Sequence, residues 1–237
     1  MRPSRVRART VAGLCALLSL AGCAAAPDPD FDKVLVIGDS MALGMGAGAS
    51  GPDCELTLEQ TARPYLAYGA LVANAYAAVP QVEAVPGIGL VRNYDGKFGA
   101  TLQERLGAPE YRGLPPRSDA PKLVILHVGT NDFQDFDAGE AFEIAYAELA
   151  GHVLSTYPGV DLVAMIGPML DDDSRALAGD RIQAALARLP AKDAARVHYI
   201  AFESGELGDD AVGCSWRPTV SAHRRMADRI LQTLQEN

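Results

Sequence analysis

The conspicuous apolar run near the start of this 237-residue chain, Val11 to Leu20, is only about half as long as a permanent membrane-spanning helix requires. Basic residues are scarce, with 21 Lys and Arg against 30 Asp and Glu. That shortage argues against nucleic acid or an anionic membrane surface as a partner. The chain carries no internal repeat, and its only compositionally biased stretch is short, from Ala24 to Asp32. Cysteine occurs four times and tryptophan once.

What the first two dozen residues do contain is a leader. Arg2, Arg5, Arg7 and Arg9 precede the apolar run, and small residues then close on Cys23, the pattern of a secretory signal. Leu20, Ala21, Gly22 and Cys23 resemble a lipobox, in which a bacterial cysteine is acylated and the chain is cut just before it. The alternative is ordinary cleavage near Ala24 to Ala26, with Cys23 incidental. A lipobox implies residues 1–22 as signal peptide, 23–32 as tether and 33–237 as one domain in the extracytoplasmic cell envelope. A diacylglyceryl group on Cys23 supplies the two chains that lasting membrane attachment needs. The domain is then anchored rather than spanning, and a monomer is expected.

Removing 22 of 237 residues leaves 215, enough for one domain with a proper core. The leader takes four of the 21 basic residues and no acids, so 17 face 30 and the formal charge falls to −13. Cys15 leaves with the leader and Cys23 takes the lipid. Cys54 and Cys214 remain, and in an oxidising compartment a disulfide between them is the economical reading.

The rest of the chain alternates two periodicities. Short apolar runs at Lys33–Ile37, Gln81–Val85, Lys122–Val128, Val160–Ile166 and Arg196–Phe202 read as buried strands. Between them, Tyr65–Ala78, Ala138–Ser155, Ser174–Leu189 and Ser221–Gln235 repeat apolar residues every three or four positions, as helices do. The alternation predicts an α/β fold, a three-layer α/β/α sandwich on a five-stranded parallel sheet. The stretch from Tyr94 to Ala120 reads as an irregular surface excursion.

In such sheets ligands bind beyond the carboxyl ends of the strands, where the strand order reverses. The first three strands run into Gly38-Asp39-Ser40, Pro86-Gly87-Ile88-Gly89 and Gly129-Thr130-Asn131-Asp132. A flavodoxin-like order 2-1-3-4-5 makes these loops neighbours. Together they offer a hydroxyl nucleophile at Ser40, a backbone N–H from a glycine loop at Gly87, with Gly89 as the alternative, and an amide donor at Asn131. These are the parts that acyl transfer uses. Singly, each is also ordinary turn and cap chemistry. No cofactor and no metal is expected.

The three blocks resemble those of the SGNH (GDSL-type) hydrolases, and the chain lacks the Gly-x-Ser-x-Gly elbow of other esterases. Ile37–Ser40, Gly87–Tyr94, Gly129–Phe133, Ile166–Leu170 and the stretch from Gly213 through His223 narrow the resemblance to the catalytic domain of carbohydrate esterase family two. That resemblance implies removal of acetyl groups from sugars, paired cysteines, and Arg92 and Tyr94 lining the acyl pocket. The amino-terminal β-domain of that family has no counterpart here. The family's last block reads Gly-Cys-Asp-Trp-His-Pro, and its histidine takes the serine's proton. This chain reads Gly213-Cys214-Ser215-Trp216-Arg217-Pro218. A guanidinium stays protonated and has no lone pair to offer, so Arg217 is no general base.

Four histidines stand as replacements. His223, six residues on at the start of the last helix, is the nearest candidate base, with capping or packing as its other reading. His127, His152 and His198 read as structural, as do Asp39 and Asp132 as loop-fixing carboxylates. Trp216 offers a face for a sugar or for packing. Two functions follow: an esterase acting on an acylated small molecule or polysaccharide, or an impaired relative that binds an acylated glycan without efficient turnover.

Overall fold

The computed structural model describes residues 33–97, 99–107, 114–203 and 205–236. The expected signal peptide and tether lie outside them. Five strands form a single parallel sheet: β1 (Lys33–Gly38), β2 (Val79–Ala84), β3 (Leu123–His127), β4 (Asp161–Ile166) and β5 (Val197–Ala201). Their spatial order is β2-β1-β3-β4-β5, as the motif argument requires. Among the described residues eight α-helices accompany them, the last following β5: α1 (Leu58–Thr61), α2 (Tyr68–Ala75), α3 (Leu102–Gly107), α4 (Thr130–Phe133), α5 (Gly139–Thr156), α6 (Asp172–Leu186), α7 (Ala191–Ala194) and α8 (Val220–Gln235).

Because side chains alternate across a strand, the central strands feed two cores. Leu35, Ile37, Val124, Leu126, Leu162 and Ala164 point to one face, where Tyr146 and Val153 of α5 and Ile182 of α6 cover them. Val34, Val36, Ile125, Val163 and Met165 point to the other, under Tyr68 and Val72 of α2 and Met226 and Ile230 of α8. Burial of both faces explains why these strands are continuous apolar runs rather than alternating ones. On the second face Gly69 lets α2 lie close on β1, since a Cβ there would meet Val36 Cγ2 at 2.4 Å.

Element boundaries differ from the periodicity reading where a cap or a proline decides them. Asp171 accepts a hydrogen bond from Ser174 N–H, so α6 begins at Asp172 rather than at Ser174. Strand β2 starts at Val79 and contains Pro80. Pro80 lacks an N–H, which an edge strand tolerates, and β2 pairs on one side only, with β1. The excursion from Tyr94 to Ala120 is not wholly irregular, because α3 forms within it and buries Leu102 against the first core.

Candidate active site

The loops after β1, β2 and β3 meet at the carboxyl edge of the sheet, where β1 and β3 leave in opposite directions from the switch in strand order. A cleft of about 460 Å³ opens there, lined by Ser40, Gly87, Asn131, Tyr94, Trp216 and Arg217 among others. Ser40 is only 4 % exposed, at the floor of this cleft. The close approach that seats it comes from Gly38, where a Cβ would meet the His127 carbonyl oxygen at 3.0 Å.

Two buried carboxylates hold the loops. Asp39 accepts hydrogen bonds from Met41 N–H at 2.9 Å and from the Asn131 side-chain amide at 3.1 Å. Burial pushes its pKa up to about 6, against the Met41 N–H and the Arg217 charge, which pull it down. Asp132 accepts from Leu90 N–H at 2.8 Å, Val91 N–H at 2.8 Å and Arg92 N–H at 3.0 Å, tying the glycine loop to α4. Its pKa is also raised by burial, opposed by those same backbone donors. Both carboxylates thus fix loops, in agreement with the sequence reading.

The glycines divide their work. Gly89 sits in a turn so tight that a Cβ would meet the Arg92 carbonyl oxygen at 1.8 Å, and its N–H donates to Asn93 Oδ1 at 3.1 Å. Gly87, with φ of +76°, lines the cleft. Its carbonyl accepts from Tyr94 N–H at 2.9 Å, and its own N–H donates to no described residue. Of the two, Gly87 has the N–H available to an oxyanion. The Asn131 amide donates to the Ile88 carbonyl at 2.7 Å as well as to Asp39. An oxyanion would therefore replace one of those partners.

The last block is a strained turn. Ser215 and Trp216 both adopt left-handed backbone, with φ of 53° and 63°, which non-glycine residues rarely take. It is held by the Cys54–Cys214 disulfide, by Gly213 N–H donating to the Arg217 carbonyl, and by Ser215 N–H donating to the Pro52 carbonyl. Gly46 lies directly beneath, since a Cβ there would meet Arg217 Cβ at 2.7 Å. The turn leaves Trp216 68 % exposed at the cleft mouth and directs Arg217 inward. Arg217 Nε donates to Ser40 Oγ at 3.2 Å and Nη1 donates to the Ser215 carbonyl at 3.2 Å.

His223 is not brought to the serine. It is fully buried in α8, and its Nδ1 accepts a hydrogen bond from Tyr68 N–H at 3.3 Å. The ring proton therefore sits on Nε2, which is buried without a partner. The lone pair a base needs is engaged elsewhere, and burial first, then the neighbouring His127, drive the pKa down to about 3. The side chain packs, stacked on the Tyr68 ring with centroids 5.8 Å apart. His127 is equally inward. Its Nε2 pairs with the Gly167 carbonyl at 2.6 Å and so carries the proton, leaving Nδ1 to accept from the Tyr68 hydroxyl at 3.0 Å. Burial lowers its pKa to about 4. Tyr68 thus links both imidazoles, a role no local pattern around it signals.

Tyr94 lines the cleft, but Arg92 turns away, its guanidinium 4.7 Å from the centre of the Phe136 ring. Thr130 was not singled out by sequence reasoning, yet it lines the cleft at 2 % exposure, and its hydroxyl is buried without a partner. Its position beside Asn131 was the only available signal. Among the described residues no group of His, Cys, Asp and Glu is arranged to hold a metal ion, and no helix is long and apolar enough to cross a membrane.

The GDSL-like Lipase/Acylhydrolase family model matches residues 36–235. Cellulase/esterase CelE of Acetivibrio thermocellus is 28% identical over 212 residues, which cover 87% of this chain and 26% of that protein. An acetylxylan esterase / glucomannan deacetylase of Cellvibrio japonicus is 28% identical over 231 residues, 92% of this chain and 61% of its own length. The structure of a family two carbohydrate esterase from Clostridium thermocellum in complex with cellohexaose superposes with a TM-score of 0.77 at 28% identity, covering 90% of this chain and 66% of that one. The chain spans between about a quarter and three fifths of the length of the curated relatives it matches.

Proposed function

This chain belongs to the GDSL-like Lipase/Acylhydrolase family, and on that premise we propose that it is an extracytoplasmic, lipid-anchored serine esterase that removes acetyl groups from carbohydrate. The observation that carries this reading is Ser40 Oγ on the floor of a cleft that also presents the unengaged Gly87 N–H and the Asn131 amide. Carbohydrate as the substrate class is supported by relatives described as acetylxylan esterase / glucomannan deacetylase and by one solved with cellohexaose. Anchoring is supported by the Arg-rich leader and by Leu20–Cys23.

In the proposed reaction Ser40 Oγ adds to the ester carbonyl, and the oxygen charge that develops is met by Gly87 N–H and Asn131. The acyl carbon–oxygen bond then breaks, the departing sugar oxygen takes a proton from water, and a second water adds to the acyl-serine and releases the acid. Arg217 stabilises charge on Oγ through its Nε–H but takes no proton. The serine proton passes to water or hydroxide, so turnover is slow. The same Arg217–Ser40 contact favours a second reading, binding of an acylated glycan without turnover.

Labelling with a fluorophosphonate serine probe and hydrolysis of a simple acetyl ester, each with Ser40→Ala as control, test the reading. Ser40-dependent label and turnover support the esterase; glycan binding without either supports the second reading. Activity that persists in Ser40→Ala overturns the proposed chemistry. For the anchor, the mature protein should partition into detergent and Cys23→Ser should release it. An unmodified amino terminus beyond Cys23 would rule the lipid out.

A further inference from the structure

We propose that the cleft is a carboxylate-binding site, and that its ligand is a carboxylate-bearing saccharide seated with the acid group on Arg217 and the sugar face on Trp216. The inference shares a cleft with the esterase reading but does not depend on turnover.

Arg217 carries a charge that no direct ion pair with a described residue neutralises. Arg217 is half-buried and makes no salt bridge among the described residues; its side-chain partners are the Ser40 hydroxyl and the Ser215 carbonyl. A cation taken partly out of water with no counter-charge in contact gains from an anion that supplies one. Asp39 attracts it at longer range but forms no direct ion pair with it. Among the described residues the cleft lining holds one further donor without a partner, the Gly87 N–H. A neutral donor suits a transient oxyanion. With a permanent guanidinium added, the pair suits a full anion in its resting state, and a planar carboxylate matches the guanidinium fork.

The surroundings extend the same sign. A second cavity of about 280 Å³ shares Gly87 and Tyr94 with the cleft and is lined by Lys97 and Arg105 and, among the described residues, by no acidic one. Lys97 Nζ stands 5.0 Å from the centre of the Tyr94 ring. Across both cavities the described lining contains three cations and one carboxylate, Asp39, on a chain whose formal charge is −9. Trp216, strained into left-handed backbone and 68 % exposed, supplies a flat face at the mouth, of the kind a sugar ring covers.

The test is calorimetric titration of the detergent-solubilised full-length mature protein with methyl glucuronide, methyl glucoside and acetate. The glucuronide should bind about tenfold or more tightly than the glucoside, and more tightly than acetate. Arg217→Gln should abolish the preference for the charged sugar, whereas Trp216→Ala should weaken the glucuronide and leave acetate unchanged. In wild type, the glucuronide but not the glucoside should also slow fluorophosphonate labelling of Ser40, a readout that does not depend on any variant folding. Equal affinity for charged and neutral sugars, or a preference that survives Arg217→Gln, overturns the carboxylate site. Acetate binding as tightly as the glucuronide overturns the sugar platform. Failure of these arms with Ser40-dependent turnover intact would sink this inference alone, and loss of turnover with the preference intact would sink the esterase reading alone.

Discussion

Arg217 Nε donates a hydrogen bond to Ser40 Oγ at 3.2 Å, so the side chain bonded to the nucleophile's hydroxyl is a donor where hydrolysis needs a proton acceptor. The relationship is geometric as well as chemical, because the turn carrying Arg217 is tied by Cys54–Cys214 to the loop that follows Ser40.

Arg217→His should therefore raise acetyl-ester turnover by about tenfold or more, since a positioned general base contributes on the order of 10²–10⁴ in rate. Without it, wild-type kcat/KM should keep rising with pH instead of levelling near neutrality, because hydroxide is the acceptor. Steady-state rates from pH 6 to 9 check both points. A plateau near pH 7 in wild type together with a slower Arg217→His variant would show that a base operates elsewhere.

Asp132→Ala should destabilise the domain by roughly 3 kcal/mol, because it strips three backbone N–H groups, those of Leu90, Val91 and Arg92, of their shared acceptor. Activity should fall with it as the Gly87 loop loses its support. Urea midpoints read the first effect and rates at saturating substrate the second. Unchanged stability would mean that water replaces the carboxylate.

His223 has a folded pKa near 3, below the usual histidine value of 6.5. Its contribution to stability is full above pH 6.5 and is lost as pH falls through about 3. Between pH 6 and 4 the unfolded chain holds the extra proton, so stability should decline by about 1.4 kcal/mol per pH unit more in wild type than in His223→Gln. His127 acts in the same direction, with a folded pKa near 4. Asp39, raised to about 6, acts oppositely; its contribution is present below pH 3.8 and lost as pH rises through 6. Unfolding free energies at pH 6, 5 and 4 test the difference in slope, and equal slopes would refute the assignment. His223→Ala should barely alter turnover measured on folded protein at pH 7.

The Cys54–Cys214 bridge closes a sequence separation of 160 residues, for which chain entropy predicts stabilisation on the order of 5 kcal/mol or less. The paired Cys54→Ser and Cys214→Ser variant should show a lower denaturation midpoint. It should also react faster with guanidinium-directed reagents at Arg217, because Trp216 and Ser215 relax from left-handed backbone. Two free thiols in the unreduced protein would remove the premise.

The sequence alone determined the sheet, its helical layers and the presence of Ser40, Gly87 and Asn131 at three successive strand ends, because periodicity and turn chemistry are local. It also determined that position 217 holds no base, since that follows from the guanidinium itself. Tertiary structure decided what distance in the chain conceals. His223 and Tyr68 are 155 positions apart, and only packing of α8 on α2 brings the Tyr68 N–H to the imidazole and withdraws His223 from catalytic candidacy. Likewise only the folded chain assigns the Gly89 N–H to Asn93, leaves that of Gly87 open, and sets Arg217 against Ser40 across 177 positions. Such contacts depend on where whole elements pack, and no local pattern of residue types carries that information.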